Sequence, residues 1–184
     1  MSSFYSLEEL KELGFKSVGK DVKVSRKASF YGADKISIGD YSRIDDFCVL
    51  SGEIELGKHV HISACCAMFA GDAKITVDDY SGTSSRTLVY ATSDDFSGEF
   101  MTNPTIPEKY TNVKNEPVYI GKYVQIGAAC TVLPGVTIAE GTTVGAMSLI
   151  KDNLDEWGIY AGIPAKRIRD RKKDLLELAK NIDE

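Results

Sequence analysis

Few side chains in this 184-residue chain offer a general base near neutral pH. Its two histidines, His59 and His61, both fall in GKHVHIS. Two adjacent carboxylates, Asp94 and Asp95, open the polar and aromatic stretch SDDFSGEFMTNPTIPEKYTNVKNE. Histidine is the commonest general base. A carboxylate takes the role when burial or a like-charged neighbour raises its pKa. No serine or cysteine stands in a recognisable nucleophile–base pair, so direct attack on an activated group is expected, without a covalent enzyme intermediate. The four cysteines, Cys48, Cys65, Cys66 and Cys130, form no C-x2-C pair and have no Cys/His ligand spacing. No metal is therefore expected.

Composition narrows the partners. The net charge is −5, so a nucleic-acid partner is not expected. No run approaches the ~18 apolar residues of a membrane span. The start, MSSFYSLEELKEL, is acidic and helix-like rather than a basic region followed by an apolar one, which predicts no signal peptide and a cytoplasmic location.

What positions these side chains is a repeat. Ile38-Gly39-Asp40 returns as Leu56-Gly57-Lys58, and Ile44 as Ile62, each 18 residues on; Ile126 and Val144 are also 18 apart. Within each 18 lies a period of six: IGKYVQ, IGAACT, VLPGVT, IAEGTT, VGAMSL. Each hexad opens on an aliphatic residue, and a small or β-branched one sits two places before the next. Alternation along a strand puts these two on the same side, and the remaining residues turn a corner. Three hexads make one triangular coil. Stacked coils, roughly 4.8 Å apart, bury a continuous core. Cys48, Cys66 and Cys130 then point inward as small core residues, while Cys65 faces a corner. His59 also falls at a corner. His61 lies between inward Val60 and Ile62, so its ring points outward, in one column with Arg43.

The period slips at Gly71–Lys74 and breaks from Ser93 to Glu116, a loop long enough to suggest function. Ser6 and Glu9 form a capping box for an N-terminal helix. RIRDRKKDLLELAKNI has the pattern of an amphipathic C-terminal helix. The expected organisation is an N-terminal helical cap (1–17), a repeat domain (18–165) interrupted by the loop 93–116, and a C-terminal helix (166–184).

The hexads, from about Val18 to Arg169, resemble the hexapeptide-repeat acyltransferases. The resemblance implies an all-β solenoid, a left-handed parallel β-helix. The left hand comes from the resemblance alone, since the general rule for parallel crossovers is right-handed. IGKYVQIGAACTVLPGVTIAEGTTVGAMSLIKDN followed by WGIYAGIPAKRI is similar to the coenzyme A end of the sugar acetyltransferases in this superfamily. The implied activity is transfer of an acetyl group from acetyl-CoA to a sugar hydroxyl or amine, in surface-polysaccharide assembly, by a homotrimer. The competing expectation is a β-helix scaffold without catalysis. A metalloenzyme like the γ-class carbonic anhydrases is disfavoured, because it needs three histidine ligands.

The candidate coenzyme residues are Gly127, Ala128, Gly145, Ala146 and Ala161, which leave a shallow groove, and Lys166, Arg167 and Arg169, which offer charge to phosphates. In the galactoside O-acetyltransferases the base is a histidine at the foot of the interrupting loop. Here that region reads Ser93-Asp94-Asp95-Phe96, so the candidate bases are Asp94, Asp95 and His61. An acceptor amine that arrives neutral needs less help than a hydroxyl, so the missing loop histidine moves weight toward N-acylation.

Overall fold

The structure is a computed structural model, and it describes residues 3–182. Short parallel strands wind into a left-handed β-helix of about seven turns. Three faces repeat. The first carries Ser17–Val18, Ile36–Ile38 and Val118–Ile120; the second Lys23–Val24, His61–Ile62 and Gln125–Ile126; the third Ser29–Tyr31, Leu88–Tyr90 and Thr131–Val132. Val49–Leu56 and Ala67–Val77 are longer, because each continues from the third face round the corner onto the first.

The core follows the hexad pattern. Ile38, Ile44, Ile62, Ile126 and Ile138 are all buried. Cys48, Cys66 and Cys130 are buried with them, and Cys65 is exposed. Inward corner positions with a hydroxyl pair internally. Ser42 Oγ donates to the Gly57 carbonyl at 2.8 Å and accepts the Val60 N–H at 2.9 Å. Ser81 repeats the bracket two coils later, on Gly121 and Val124. A hydroxyl at such a position satisfies a turn that would otherwise bury unpaired backbone groups.

The corner between the first and second faces forces left-handed backbone on Asp21, Tyr41, His59, Tyr80, Tyr123 and Trp157, with φ from 51° to 60°. Four of these rings stack. Tyr41–His59, His59–Tyr80 and Tyr80–Tyr123 have centroids 4.8, 5.0 and 5.3 Å apart. His59 is thus one rung of a structural ladder.

The ends partly depart from expectation. The helix Leu7–Glu12 has the predicted capping box between Ser6 and Glu9. The C-terminal helix predicted over 166–184 is shorter among the described residues, with 183–184 outside them: Lys166–Asp170 is a strand, antiparallel to Gly158–Ala161, and helix spans Leu175–Ala179. Pairing with the last open strand edge wins over helical periodicity there, since an uncovered solenoid end leaves backbone groups unpaired. Arg171 then locks the tail down, donating to the Tyr123 and Gly141 carbonyls at 2.7 and 2.9 Å. A second insertion, Gly32–Lys35, carries a single 3-10 turn that the hexad reading does not single out. No helix among the described residues is long and apolar enough to cross a membrane.

Candidate functional site

The second face has an outward row reading Lys23, Arg43, His61, Gly82, Gln125, Thr143 and Ile159. His61 projects outward and is exposed, as expected. Its Nε2 lies 2.8 Å from Asp45 Oδ2, and Arg43 Nε donates to Asp45 Oδ1 at 2.6 Å. Desolvation raises the Asp45 pKa, but the hydrogen bonds from His61 and Arg43 outweigh it and hold the carboxyl below its usual range. The sequence reading put Arg43 in the column of His61 but missed Asp45, because a partner sixteen positions away comes near only through coiling.

Beside this row runs a trough. The residues following each inward position of the second face are Asp45, Ser63, Ser84, Gly127, Gly145 and Ala161. Their stacking is fixed by backbone bonds: Ser63 N–H to the Thr83 carbonyl, Ser84 to Ile126, Gly127 to Val144, Gly145 to Tyr160, each at 2.8–3.1 Å. From Asp45 to Ala161 the trough rises five coil steps, roughly 24 Å at about 4.8 Å per step. That length suits an extended pantetheine arm. The small residues also serve the coil itself. A Cβ on Gly127 would sit 2.5 Å from the Ala146 nitrogen, and one on Gly145 3.1 Å from the Ala161 Cβ. The N–H groups of Gly127 and Gly145 are spent in the ladder, so they offer a ligand close approach and no donor. Ala128 and Ala146 lie one position further along, with Ala146 exposed. At the end of the trough, Lys166 pairs with Ala161 and Arg169 with Ile159 across the antiparallel strand. Arg167 is turned to the Tyr160 hydroxyl at 3.1 Å and to Asp170 at 2.8 Å. Lys166 and Arg169 are exposed, with no such side-chain partner among the described residues.

The two loop carboxylates separate. Asp95 accepts the Ser97 N–H and the Asn112 Nδ2 group, both at 2.8 Å. Hydrogen bonds from Ser97 and then Asn112 take its pKa down to about 2. The expectation of a raised pKa fails for this residue: it clamps the outgoing and returning limbs of the loop. Asp94 faces the other way, into a groove of about 1370 Å³ beneath the loop, and accepts only the Asn103 N–H there, at 3.3 Å. The groove floor is Ser51, Phe69, Tyr90, Leu133 and Pro134 on the edge of the third face. Its lining includes the acidic residues Asp72, Asp94 and Glu108 and no lysine, arginine or histidine. The loop is closed at its base by antiparallel pairing of Thr92–Ser93 with Lys114–Asn115.

Within one chain, trough and groove lie at opposite edges of the third face. His61 and the small-residue trough are at the edge shared with the second face, and Asp94 is at the edge shared with the first. The chain does not bring its candidate bases together. Among the described residues there is no group of three or more His, Cys, Asp or Glu side chains placed to hold a metal.

A coiled scaffold with a long small-residue trough and an acid-lined groove is compatible with a sugar acyltransferase, and comparison with known proteins shows that class. The family described as bacterial transferase hexapeptide (six repeats) matches residues 117–152. The chain is 47% identical, over 92% of its length and 90% of the relative's, to a dTDP-4-amino-4,6-dideoxy-D-glucose acyltransferase of Escherichia coli. It therefore belongs to the hexapeptide-repeat acyltransferases, and it is an acyltransferase itself. Among solved structures it is similar to AntD, an N-acyltransferase from Bacillus cereus in complex with dTDP and 3-hydroxybutyryl-CoA, at 50% identity and a TM-score of 0.95 over 98% of this chain and 96% of that one. AntD variants S84A and D94N have been solved with coenzyme A, the first also with dTDP-4-amino-4,6-dideoxyglucose. The acetyltransferase domain of PglB from Neisseria gonorrhoeae, at 20% identity and a TM-score of 0.61 over 88% of this chain and 62% of that one, shares the fold.

Proposed function

We propose that this chain transfers an acyl group, acetyl in the simplest case, from acyl-CoA to the 4-amino group of a dTDP-4-amino-4,6-dideoxyhexose. The observation that carries this reading is the near-full-length similarity to the E. coli enzyme and to AntD, whose complexes contain these ligands. The groove supports an amine over a hydroxyl. Three carboxylates and no cation suit an acceptor that carries positive charge before it reacts.

In this reading Asp94 faces the acceptor nitrogen and takes its proton. The neutral nitrogen attacks the thioester carbonyl carbon, the N–C bond forms, and the C–S bond breaks. The second proton of the attacking nitrogen then goes to the departing thiolate, and the proton held by Asp94 is released to solvent. Gly127, Ala128, Gly145, Ala146 and Ala161 line the donor's path, and Lys166 and Arg169 meet its phosphates. Arg167, held by Asp170 and Tyr160, steadies that corner. Ser84 lies in the trough, and this chain has a serine and an aspartate at the same numbers as the substituted AntD positions. His61, positioned by Asp45, stands beside the thioester end of the trough and contacts the donor.

Because trough and groove sit at opposite edges of one face, donor and acceptor meet only when the trough of one subunit faces the groove of another. A homotrimer with active sites at its boundaries satisfies this. Acyl-CoA and nucleotide sugars are water-soluble, which fits work in the cytoplasm, ahead of surface-polysaccharide assembly. The test is release of free coenzyme A with dTDP-4-amino-4,6-dideoxyglucose against the matching 4-hydroxy sugar. Turnover of the amine alone is expected. Equal turnover of the alcohol, or none with either, overturns the reading.

A further inference from the structure

The outward column at the groove edge of the third face reads Tyr31, Ser51, Phe69, Tyr90, in consecutive coils and direct register. Phe69 and Tyr90 stack, with centroids 5.4 Å apart and planes inclined by 21°. Tyr31, two coils before Phe69, is 63% exposed. The coil between them carries only Ser51. An aromatic ladder thus loses one rung, at a position that lines the groove. Two coil steps separate the Tyr31 and Phe69 positions, roughly 9.6 Å at about 4.8 Å each. That is room for one planar ring with an aromatic side chain on either side. The backbone beneath is fixed, since Gly52 has φ 89° and a Cβ there would meet the Ala70 Cβ at 2.9 Å.

We infer that the pyrimidine base of the nucleotide-sugar acceptor occupies the vacant rung over Ser51, between Phe69 and Tyr31. This rests on the reading of the groove as the acceptor site. The placement fits the rest of the molecule. Ser51 lies two coils before Tyr90, and the chain reaches Asp94 soon after Tyr90, so a base at Ser51 leaves the sugar near Asp94. The small cleft adjoining the groove through Gly71 and Asp72 is lined by Lys16 and Lys35 together with Asp34 and Glu53, so the two lysines are the cations nearest the path of the diphosphate and are offset by acidic neighbours. Stacking also explains why a groove without a hydrogen-bonding cation recognises a base, because every base has a π-face.

The test adds the missing rung from the protein side. dTDP is titrated calorimetrically into the wild type and into Ser51→Phe, Phe69→Leu and Tyr31→Ala, with coenzyme A titrated in parallel. Ser51→Phe is expected to weaken dTDP about tenfold or more while coenzyme A binds as in the wild type. Phe69→Leu and Tyr31→Ala are expected to weaken dTDP by about tenfold each, and they decide the question if Ser51→Phe does not fold. Wild-type dTDP affinity in Ser51→Phe, or in both of the other variants, overturns the assignment. A wild type that binds coenzyme A and no dTDP overturns the acceptor reading of the groove, and the base assignment with it.

Discussion

His61 and Asp45, one coil apart, hold each other 2.8 Å nitrogen to oxygen, and Arg43 closes the other side of the same carboxylate. The Asp45 carboxyl is only 18% exposed, so this pair has weight in stability as well as in positioning. Asp45→Asn is expected to cost about 1 kcal/mol at pH 7. The sign follows from linkage. The folded pKa of Asp45 lies below its unfolded value, so its contribution is full above the unfolded value of about 3.9 and is lost as pH falls through the lowered one. Melting curves of wild type and Asp45→Asn should differ at pH 7 and converge in that acid range. A difference that persists unchanged at pH 2 contradicts the assignment.

Asp94 and Asp95 should separate kinetically. Asp94→Asn is expected to lower kcat by about 10²-fold with a smaller change in KM for the acceptor. Asp95→Asn should act through the loop, raising KM for the acceptor with a smaller effect on kcat. The Asp95 carboxylate is held at a pKa of about 2, so its clamp is present above the unfolded value and loosens only as pH falls toward 2. Steady-state kinetics from pH 5 to 9 check both.

Gly127 and Ala146 differ in what a larger side chain meets. Gly127→Ala drives a Cβ into the next coil and is expected to cost about 2 kcal/mol, lowering Tm by about 5 °C. Ala146→Leu places its bulk in solvent, and should leave Tm within about 1 °C while weakening coenzyme A about tenfold. Thermal melts with and without coenzyme A distinguish packing from ligand contact.

Lys166→Ala and Arg169→Ala should each weaken coenzyme A by about tenfold, with a shallower salt dependence than the wild type. Arg167→Ala should instead lower stability, because its guanidinium is spent on Tyr160 and Asp170.

The coil, the inward cysteines, the outward His61 and the N-terminal cap were legible because each follows from short-range spacing. The strand Lys166–Asp170 was not: its residues alternate with helical and extended periods alike, and the open edge of Gly158–Ala161 decides between them. The Asp45–His61 pair and the Asp95 clamp on Asn112 depend on contacts across sixteen and seventeen residues, and the split between the two loop aspartates on how the loop folds back on itself. Ser84 drew no notice in the sequence, where it is one of several polar corner residues. Only its place in the stacked column with Gly127 and Gly145 sets it apart.

The loop leaves the sheet intact beneath it. Ala67–Val77 pairs directly with Val118–Ile120, Gly82–Thr83 with Gln125–Ile126, and Leu88–Tyr90 with Thr131–Val132, as though residues 93–116 were absent. The loop is thereby structurally modular. A loop of another length or sequence can be spliced at the Thr92–Asn115 junction without re-registering a single rung.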